Sequence, residues 1–271
     1  MNQIILFESE TNNFGEFSLK LSKAIDSKAW IKLLPKVESE NIIPNQLLPE
    51  GPGFIIKSGG SSGDHYQCLQ PCKNLNQSAL FSGDWLKEQG IDPKSCLLLN
   101  PLPINHISGL MPWWRSKVWN CEHHRLSPQL MKDSVYLEKT YRKYFIKESN
   151  PVIISLVPTQ LKRLMLTQVG IKFLQSLNLI WVGGSKLTKD LADKAREKNI
   201  KLAPCYGSTE TAAMVSCLSP KEFLSGKNDC GHPLKDVSIK VDKNGQLKVK
   251  TTRLAIGRFI DNRIDPIIDE S

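Results

Sequence analysis

The chain has 271 residues, with 36 Lys and Arg against 27 Asp and Glu, a formal charge of +9. At roughly 150 residues per domain this length allows one large or two modest domains. Hydrophobic residues at 40% and charged ones at 23% describe a globular chain with a sizeable core and exclude a disordered one.

No stretch approaches the ~18–20 unbroken apolar residues of a membrane span. The start, Met1-Asn2-Gln3-Ile4-Ile5-Leu6-Phe7-Glu8, has no basic region and meets a charge too soon for a secretory leader. Seven Cys suit reduced thiols in a cytoplasmic protein better than a disulfide framework. Positive charge gathers in Arg115 to Glu148, eight Lys and Arg against four Asp and Glu, and in Lys186 to Lys201, six against three. Neither stretch has the interleaved aromatics or the motifs of a nucleic-acid binder, so no nucleic-acid partner is expected. They read as solvated helix faces, or as a surface attracting a phosphorylated small molecule.

Residues 1–52 form a weakly patterned opening, ending in a Pro- and Gly-punctuated run, Pro44 to Gly53, that reads as a linker or long turn. Phe54-Ile55-Ile56 is a short buried strand, followed at once by Ser58-Gly59-Gly60-Ser61-Ser62-Gly63. Asn74 to Gln89 reads as a helix, with Asn74 as N-cap and Gly90 as its stop. Cys96 to Leu99 is a strand ending at Asn100-Pro101, and Val152 to Val157 another. A helical stripe of Leu161, Leu164, Met165 and Val169 runs from Thr159. Leu179 to Val182 is a strand meeting Gly183-Gly184; Thr188 to Lys198 is a charged surface helix; Ile200 to Cys205 leads into Tyr206-Gly207-Ser208-Thr209-Glu210. Strands alternating with helices predict an α/β fold with a largely parallel sheet. Val237 to Val241 and Gln246 to Lys250 alternate around Asn244-Gly245, a hairpin and so a small antiparallel element near the C-terminus. The chain thus divides into residues 1–52, an α/β core over 53–235, and a hairpin element and end over 236–271.

Ligands in open α/β sheets sit beyond the carboxyl ends of the strands, and three such ends carry unusual loops. In Ser58 to Gly63, three glycines let consecutive N–H groups cup an anion while Ser hydroxyls add hydrogen bonds; a flexible turn has the same composition. A Walker loop needs Gly-Lys-Ser/Thr, and Asp64-His65 follows Gly63. Gly59, Ser61 and Gly63 also match Gly-x-Ser-x-Gly, which would make Ser61 a hydrolase nucleophile, but such an elbow opens into a helix and Asp64 to Lys73 has no helical stripe. The second loop, Leu102 to Leu110, holds His106, which fits a packed structural role or an acyl pocket. The third, Tyr206 to Glu210, offers an aromatic face, a flexible Gly207, hydroxyls and a carboxylate, suited to a base, a phosphate and Mg²⁺. Cys68 with Cys72, and Cys121 with His123 and His124, lack the paired spacings of a zinc site.

In this order the blocks resemble the acyl-adenylate-forming (AMP-binding) superfamily of acyl-CoA synthetases, and within it the o-succinylbenzoate–CoA ligases of menaquinone and phylloquinone biosynthesis, in their compact cyanobacterial-type form. Ser58 to Gly63 is similar to the family's Thr-Ser-Gly-Thr-Thr-Gly, Leu102 to Leu110 to its Leu-Pro-x-x-His-x-x-Gly, Val182 to Leu187 to its Gly-Gly-Ala-Pro-Leu, and Tyr206 to Glu210 to its Tyr-Gly-x-Thr-Glu. Ser155 to Leu161, Gln67 to Pro71 and Gly231 to Leu234 carry the subfamily's flavour.

The resemblance implies the large N-terminal domain of an acyl-CoA synthetase-like fold, a layered, mostly parallel sheet with helices. It implies an aromatic carboxylic acid, ATP, Mg²⁺ and CoA as ligands, with acyl-AMP formed first. Ser58, Gly59, Gly60, Ser61, Ser62 and Gly63 would form the phosphate loop. Gly184 and Ser185 would flank adenine and the acyl group, and Tyr206 and Gly207 would meet the adenine. Thr209 would bond the α-phosphate, Glu210 would ligate Mg²⁺, and His106 would orient the carboxylate. Arg115 or Arg125 is a candidate for the acid's second carboxylate.

The sequence departs from the family in reading Gly63-Asp64-His65-Tyr66 where Gly-x-Pro-Lys is usual, with Lys57 on the loop's other side, and Gly59 where Ser is usual. It reaches Ser271 before any Thr-Gly-Asp, Asp261, Asp265 and Asp269 lacking the preceding Thr-Gly, and before the lysine-bearing small domain. A fragment or a degenerate copy, inactive or served by a separately encoded C-terminal domain, is expected on that ground.

Overall fold

The computed structural model describes residues 3–9, 13–35, 43–58, 66–146 and 150–267. In chain order the described elements begin with β1 (Ile4–Glu8), α1 (Phe14–Asp26), β2 (Trp30–Leu34), β3 (Gly53–Lys57), β4 (Gln67–Pro71) and α2 (Cys72–Glu88). Next come β5 (Leu97–Asn100), α3 (Ile107–Trp119), β6 (Glu122–Arg125), α4 (Ser134–Ile146), β7 (Val152–Leu156), α5 (Pro158–Leu164), α6 (Gln168–Ser176) and β8 (Leu179–Val182). The rest are α7 (Lys189–Glu197), β9 (Leu202–Ser208), β10 (Ala213–Cys217), α8 (Pro220–Leu224), β11 (His232–Pro233), β12 (Val237–Val241), β13 (Leu247–Thr251), β14 (Gly257–Ile260) and β15 (Arg263–Pro266).

One sheet runs β11-β10-β9-β8-β7-β5-β6 and is parallel from β9 to β6. Its central strands β5, β7 and β8 read as largely apolar runs because both faces are covered. Leu97, Leu99, Val152, Ile154, Ile180 and Val182 face the cluster formed with α4, α5, α6 and α7. Leu98, Ile153, Leu179 and Trp181 face the other side, with Trp85 and Leu86 of α2 and Trp119 of α3. The opposite flank of this helix pair, Leu75, Ala79, Leu110 and Trp113, meets Phe54 and Ile56 of β3. Helices α2 and α3 therefore lie between two sheets, in the layered α/β arrangement expected.

The second sheet, β1-β2-β3-β4-β14-β15, is parallel across β1, β2 and β3 and antiparallel beyond. It draws strands from all three segments of the sequence. The opening, expected to be weakly patterned, holds a β-α-β unit whose α1 buries Phe17, Leu21 and Ala24, one stripe at helical spacing. The hairpin forms as β12 and β13, with Val241 opposite Leu247. Its turn is closed by Asn244 and Gln246 N–H groups donating to Asp242 Oδ1, and by Gly245 at φ 78°.

Two expectations need correction. Asn74 is not an N-cap: α2 starts at Cys72, and the buried Asn74 donates from Nδ2 to Gln70 Oε1 and Leu254 O, each at 2.8 Å. The stripe from Thr159 is two helices, because Thr167 caps α6 by accepting from Gly170 N–H, worth about 1 kcal/mol. Among the described residues no helix is long and apolar enough to cross a membrane, and no group of three or more His, Cys, Asp or Glu could hold a metal ion.

Candidate active site

A cleft of about 610 Å³ opens beyond the carboxyl ends of β5, β7, β8 and β9; its walls include Ser58, His106, Arg115, Gly184, Tyr206 and Glu210. Side chains from all three loops therefore meet in one cavity. Gly59, Gly60, Ser61, Ser62 and Gly63, expected to form a phosphate loop, lie outside the described residues, but the residues on either side of that segment are held together. Ser58 N–H donates to Tyr66 O at 2.8 Å, and both residues line the cleft. The next described element is β4, antiparallel to β3, and not the helix that a nucleophile elbow at Ser61 requires.

The His106 loop is braced from within. Asn100 Nδ2 donates to Gly109 O at 2.8 Å and Asn100 Oδ1 accepts from Leu102 N–H. A side chain at Gly109 would strike the Pro103 carbonyl. His106 precedes α3 in extended conformation, and burial, then the nearby Lys57 charge, lowers its pKa. It is therefore a neutral imidazole at neutral pH. Gly184 sits at φ 80°, a conformation only glycine adopts freely. Ser185, next to it, is exposed and is not among the residues lining the cleft.

Tyr206 is 44% exposed on the cleft wall. Gly207 packs so closely on β10 that a Cβ would collide with the Ala213 carbonyl. Two left-handed residues, Ala212 at φ 53° and Ala213 at φ 77°, complete the turn. Such strain persists only where neighbours impose it, and here they do. Gln70 Nε2 donates to Thr209 O at 2.9 Å and Glu210 O at 3.3 Å, and Ala255 N–H to Glu210 O at 2.7 Å. Arg253, fully buried, donates to Thr211 O at 2.6 Å and Met214 O at 2.8 Å and pairs with Asp236 at 2.6 Å.

Glu210 is the electrostatic centre of this end. Burial pushes its carboxyl up, but hydrogen bonds from Tyr66 and Ser208 and the Arg258 charge outweigh that and leave it below its ordinary value. Tyr66, pushed up to about 12 by burial and by its bond to Glu210, stays a donor. At the other end Arg115 is buried. Its Nε donates to Ser82 Oγ at 3.0 Å and its guanidinium lies 4.7 Å from the Trp181 ring. No described carboxylate pairs with it, and burial lowers its pKa to about 10. Of the two arginine candidates, Arg115 lines the cleft; Arg125 donates to Leu102 O and lies over Phe14. Sequence reasoning gave no site role to Tyr66, Gln70, Arg253 or Arg258, although Tyr66 stands where the Gly-x-Pro-Lys pattern is broken and Gln70 falls in the Gln67 to Pro71 block.

A family model described as AMP-binding enzyme matches residues 11–253. A curated 2-succinylbenzoate–CoA ligase of Enterococcus faecalis is 26% identical over 228 residues, covering 82% of this chain and 44% of that protein. The o-succinylbenzoate coenzyme A synthetase of Bacillus subtilis in complex with ATP and magnesium ion aligns with a TM-score of 0.62 at 20% identity, over 95% of this chain and 52% of that one. The same enzyme with the acyl-adenylate intermediate aligns at 0.66 and 18% identity, over 96% and 78%. The likeness to these structures shows the acyl-CoA synthetase large-domain fold. The chain spans less than half the length of the curated relative.

Proposed function

Because the chain belongs to the AMP-binding enzyme family, we propose that its cleft activates a carboxylic acid with ATP and Mg²⁺ and passes the acyl group to CoA. The acid we assign is o-succinylbenzoate, and the reaction belongs with menaquinone or phylloquinone biosynthesis in the cytoplasm. The observation that carries this reading is the meeting of both ends of the Gly/Ser loop with Glu210, through the Tyr66 hydrogen bond, on one cleft. The choice of a diacid rests on Arg115, a buried cation on the cleft with no described carboxylate partner.

A carboxylate is a poor acyl donor. Its oxygen attacks the α-phosphorus of ATP, the bond to the bridging oxygen breaks, and pyrophosphate leaves with the electron pair. The CoA thiolate then attacks the carbonyl and AMP departs. The protein's part is positioning and charge neutralisation. Tyr206 would offer the adenine a flat apolar face, Gly184 would leave room beside it, and Thr209, which lines the cleft, would bond the α-phosphate. Ser58 and the loop it opens hold the β- and γ-phosphates. His106, neutral, can hydrogen-bond the reacting carboxylate without protonating it. An ionised Glu210 is the hard oxygen ligand that Mg²⁺ takes, so the residues fit the ion. When bound, it would offset the phosphate charge.

The test is ATP–pyrophosphate exchange by the 271-residue chain, expected to depend on o-succinylbenzoate and to vanish in Glu210→Gln. ATP binding without exchange for any aryl or fatty acid would make the chain a nucleotide-binding remnant. ATP-independent ester hydrolysis lost in Ser61→Ala would make it a hydrolase.

A further inference from the structure

Three of the four most exposed large hydrophobic side chains among the described residues gather away from the cleft: Leu166 at 76%, Val135 at 61% and Tyr136 at 60%. They are distant in sequence and close in the fold. Val135 and Tyr136 stand in the first turn of α4, and Leu166 in the link between α5 and α6. Their immediate neighbours, Ser134 and Thr167, share a hydrogen bond of 2.8 Å between Oγ and Oγ1. Single exposed apolar residues are ordinary, but a cluster of them marks a contact surface.

Positive charge surrounds the cluster. Lys162 and Arg163 lie four and three residues before Leu166, whose N–H donates to Arg163 O at 3.2 Å. Lys139 is one helical turn from Tyr136. Lys132 ends a short turn, Leu130–Lys132, that packs on both α4 and α5. All four cations are exposed, and none forms an ion pair among the described residues. The described part of residues 130–172 carries seven Lys and Arg against two Asp and Glu. Both carboxylates are already engaged: Asp133 Oδ1 accepts from the N–H groups of Val135 and Tyr136, and Glu138 pairs with Arg142 at 2.8 Å.

We propose that this face, formed by the start of α4 and the link between α5 and α6, docks the protein on an anionic lipid surface. Such docking needs apolar side chains that enter the acyl boundary and cations level with the headgroups. Leu166 and Val135 supply the first, the four cations the second, and Tyr136 an amphipathic ring of the kind that settles at headgroup depth. A small phosphorylated molecule would use the cations and leave Leu166 in water. A second copy of the chain would set the same excess of cations against itself in an isologous contact, which charge repulsion opposes. None of these seven residues lines the cleft, so docking is separable from the chemistry proposed there.

The experiment measures co-sedimentation of the full chain with vesicles of phosphatidylcholine alone, and of phosphatidylcholine mixed with phosphatidylglycerol, at low and high salt. It compares the wild-type chain with Leu166→Ser and with the double variant Lys162→Ala, Arg163→Ala; all three positions are exposed, and thermal melts check that each variant folds. A cation near an anionic surface is worth roughly fivefold in affinity, and an apolar side chain of this size roughly tenfold or more when buried. We expect binding to the mixed vesicles only, weakened by salt, about twenty-fivefold weaker in the double variant and at least about tenfold weaker in Leu166→Ser. No binding, equal binding to both kinds of vesicle, or variants that bind as tightly as the wild type would overturn the proposal. Release by inorganic phosphate but not by chloride at the same ionic strength would overturn it in favour of a discrete anion site. A concentration-dependent dimer lost in Leu166→Ser would overturn it in favour of a second copy of the chain. None of these readouts requires turnover, so this proposal and the adenylating reading fail independently.

Discussion

Replacing Arg115 by Met should barely change the stability of the free protein while erasing the diacid preference proposed above. Burial takes the guanidinium's pKa from 12.5 to about 10, which at about 1.4 kcal/mol per unit corresponds to roughly 3 kcal/mol for holding the charge there. Against this stand the hydrogen bond to Ser82 at 3.0 Å and the indoles of Trp181 and Trp119 at 4.7 and 6.0 Å. Together these return roughly 3 kcal/mol. Met fills much of the same space, and Ser82 keeps its bond to Ser78 O at 2.7 Å. The net change should therefore lie within about 1 kcal/mol, whereas breaking a compensated buried ion pair costs roughly 3–5 kcal/mol.

In the complex the balance reverses. Removing one partner of a buried charge pair costs roughly 2–5 kcal/mol, at least about thirtyfold in affinity. Urea unfolding at neutral pH, with and without o-succinylbenzoate and with benzoate as the monoacid control, reads both effects. A loss beyond about 3 kcal/mol without ligand would show that Arg115 is a structural cation. A diacid-over-monoacid preference surviving in the variant would show that it does not meet the second carboxylate.

The His123 pKa is lowered to about 3 by burial, then by the charges of His124, Arg125 and Lys117, so below its ordinary value of 6.5 the unfolded chain takes up a proton that the folded one refuses. Stability should therefore fall as pH drops from 6.5 toward 3, by up to about 1.4 kcal/mol per pH unit from this group, and His123→Gln should flatten that slope in urea titrations. Arg253→Met leaves Asp236 buried and unpaired and should cost roughly 3–5 kcal/mol, part of it recovered in the double variant with Asp236→Leu, as read from the unfolding midpoint. Because Glu210 is held ionised and Tyr66 stays protonated to about 12, neither should exchange a proton when Mg²⁺ and ATP bind near neutral pH. The dependence of the binding enthalpy on buffer ionisation enthalpy should then be the same for the wild-type chain and Tyr66→Phe.

The central parallel strands β5, β7 and β8 were legible because burial on both faces writes itself as a continuous apolar run, as in Val152 to Leu156, whereas β6, Glu122 to Arg125, has no such run. The opening β-α-β unit was not, although Phe17, Leu21 and Ala24 carry helical spacing. Its edge strand β1 is half exposed, and β2 carries a buried Lys32 among its apolar residues. Within the site, Tyr206 to Glu210 was readable because its chemistry is compressed into five consecutive residues. Tyr66 was not, since its bond to Glu210 spans 144 residues and depends on which strands become neighbours. The same holds for Arg258, which stands on β14 paired with β4, and for Arg253, whose bonds to Thr211 O and Met214 O span 42 and 39 residues.

The charges around the cleft are not spread evenly, and their distribution bears on which acids could react there. Arg115 lies against Trp181 of β8 with no described carboxylate partner; Glu210, also lining the cleft, is held ionised; His106, a third lining residue, is neutral. A cation at the reacting carboxylate would stabilise its charge and blunt its attack on phosphorus, whereas a neutral imidazole can orient it and leave the lone pair available. Cations are useful where negative charge persists through the reaction, on a distal carboxylate and on the phosphates. A monocarboxylic acid would leave Arg115 as costly in the complex as in the free protein, so a reaction with such an acid would gain nothing from the most deeply buried cation on the cleft.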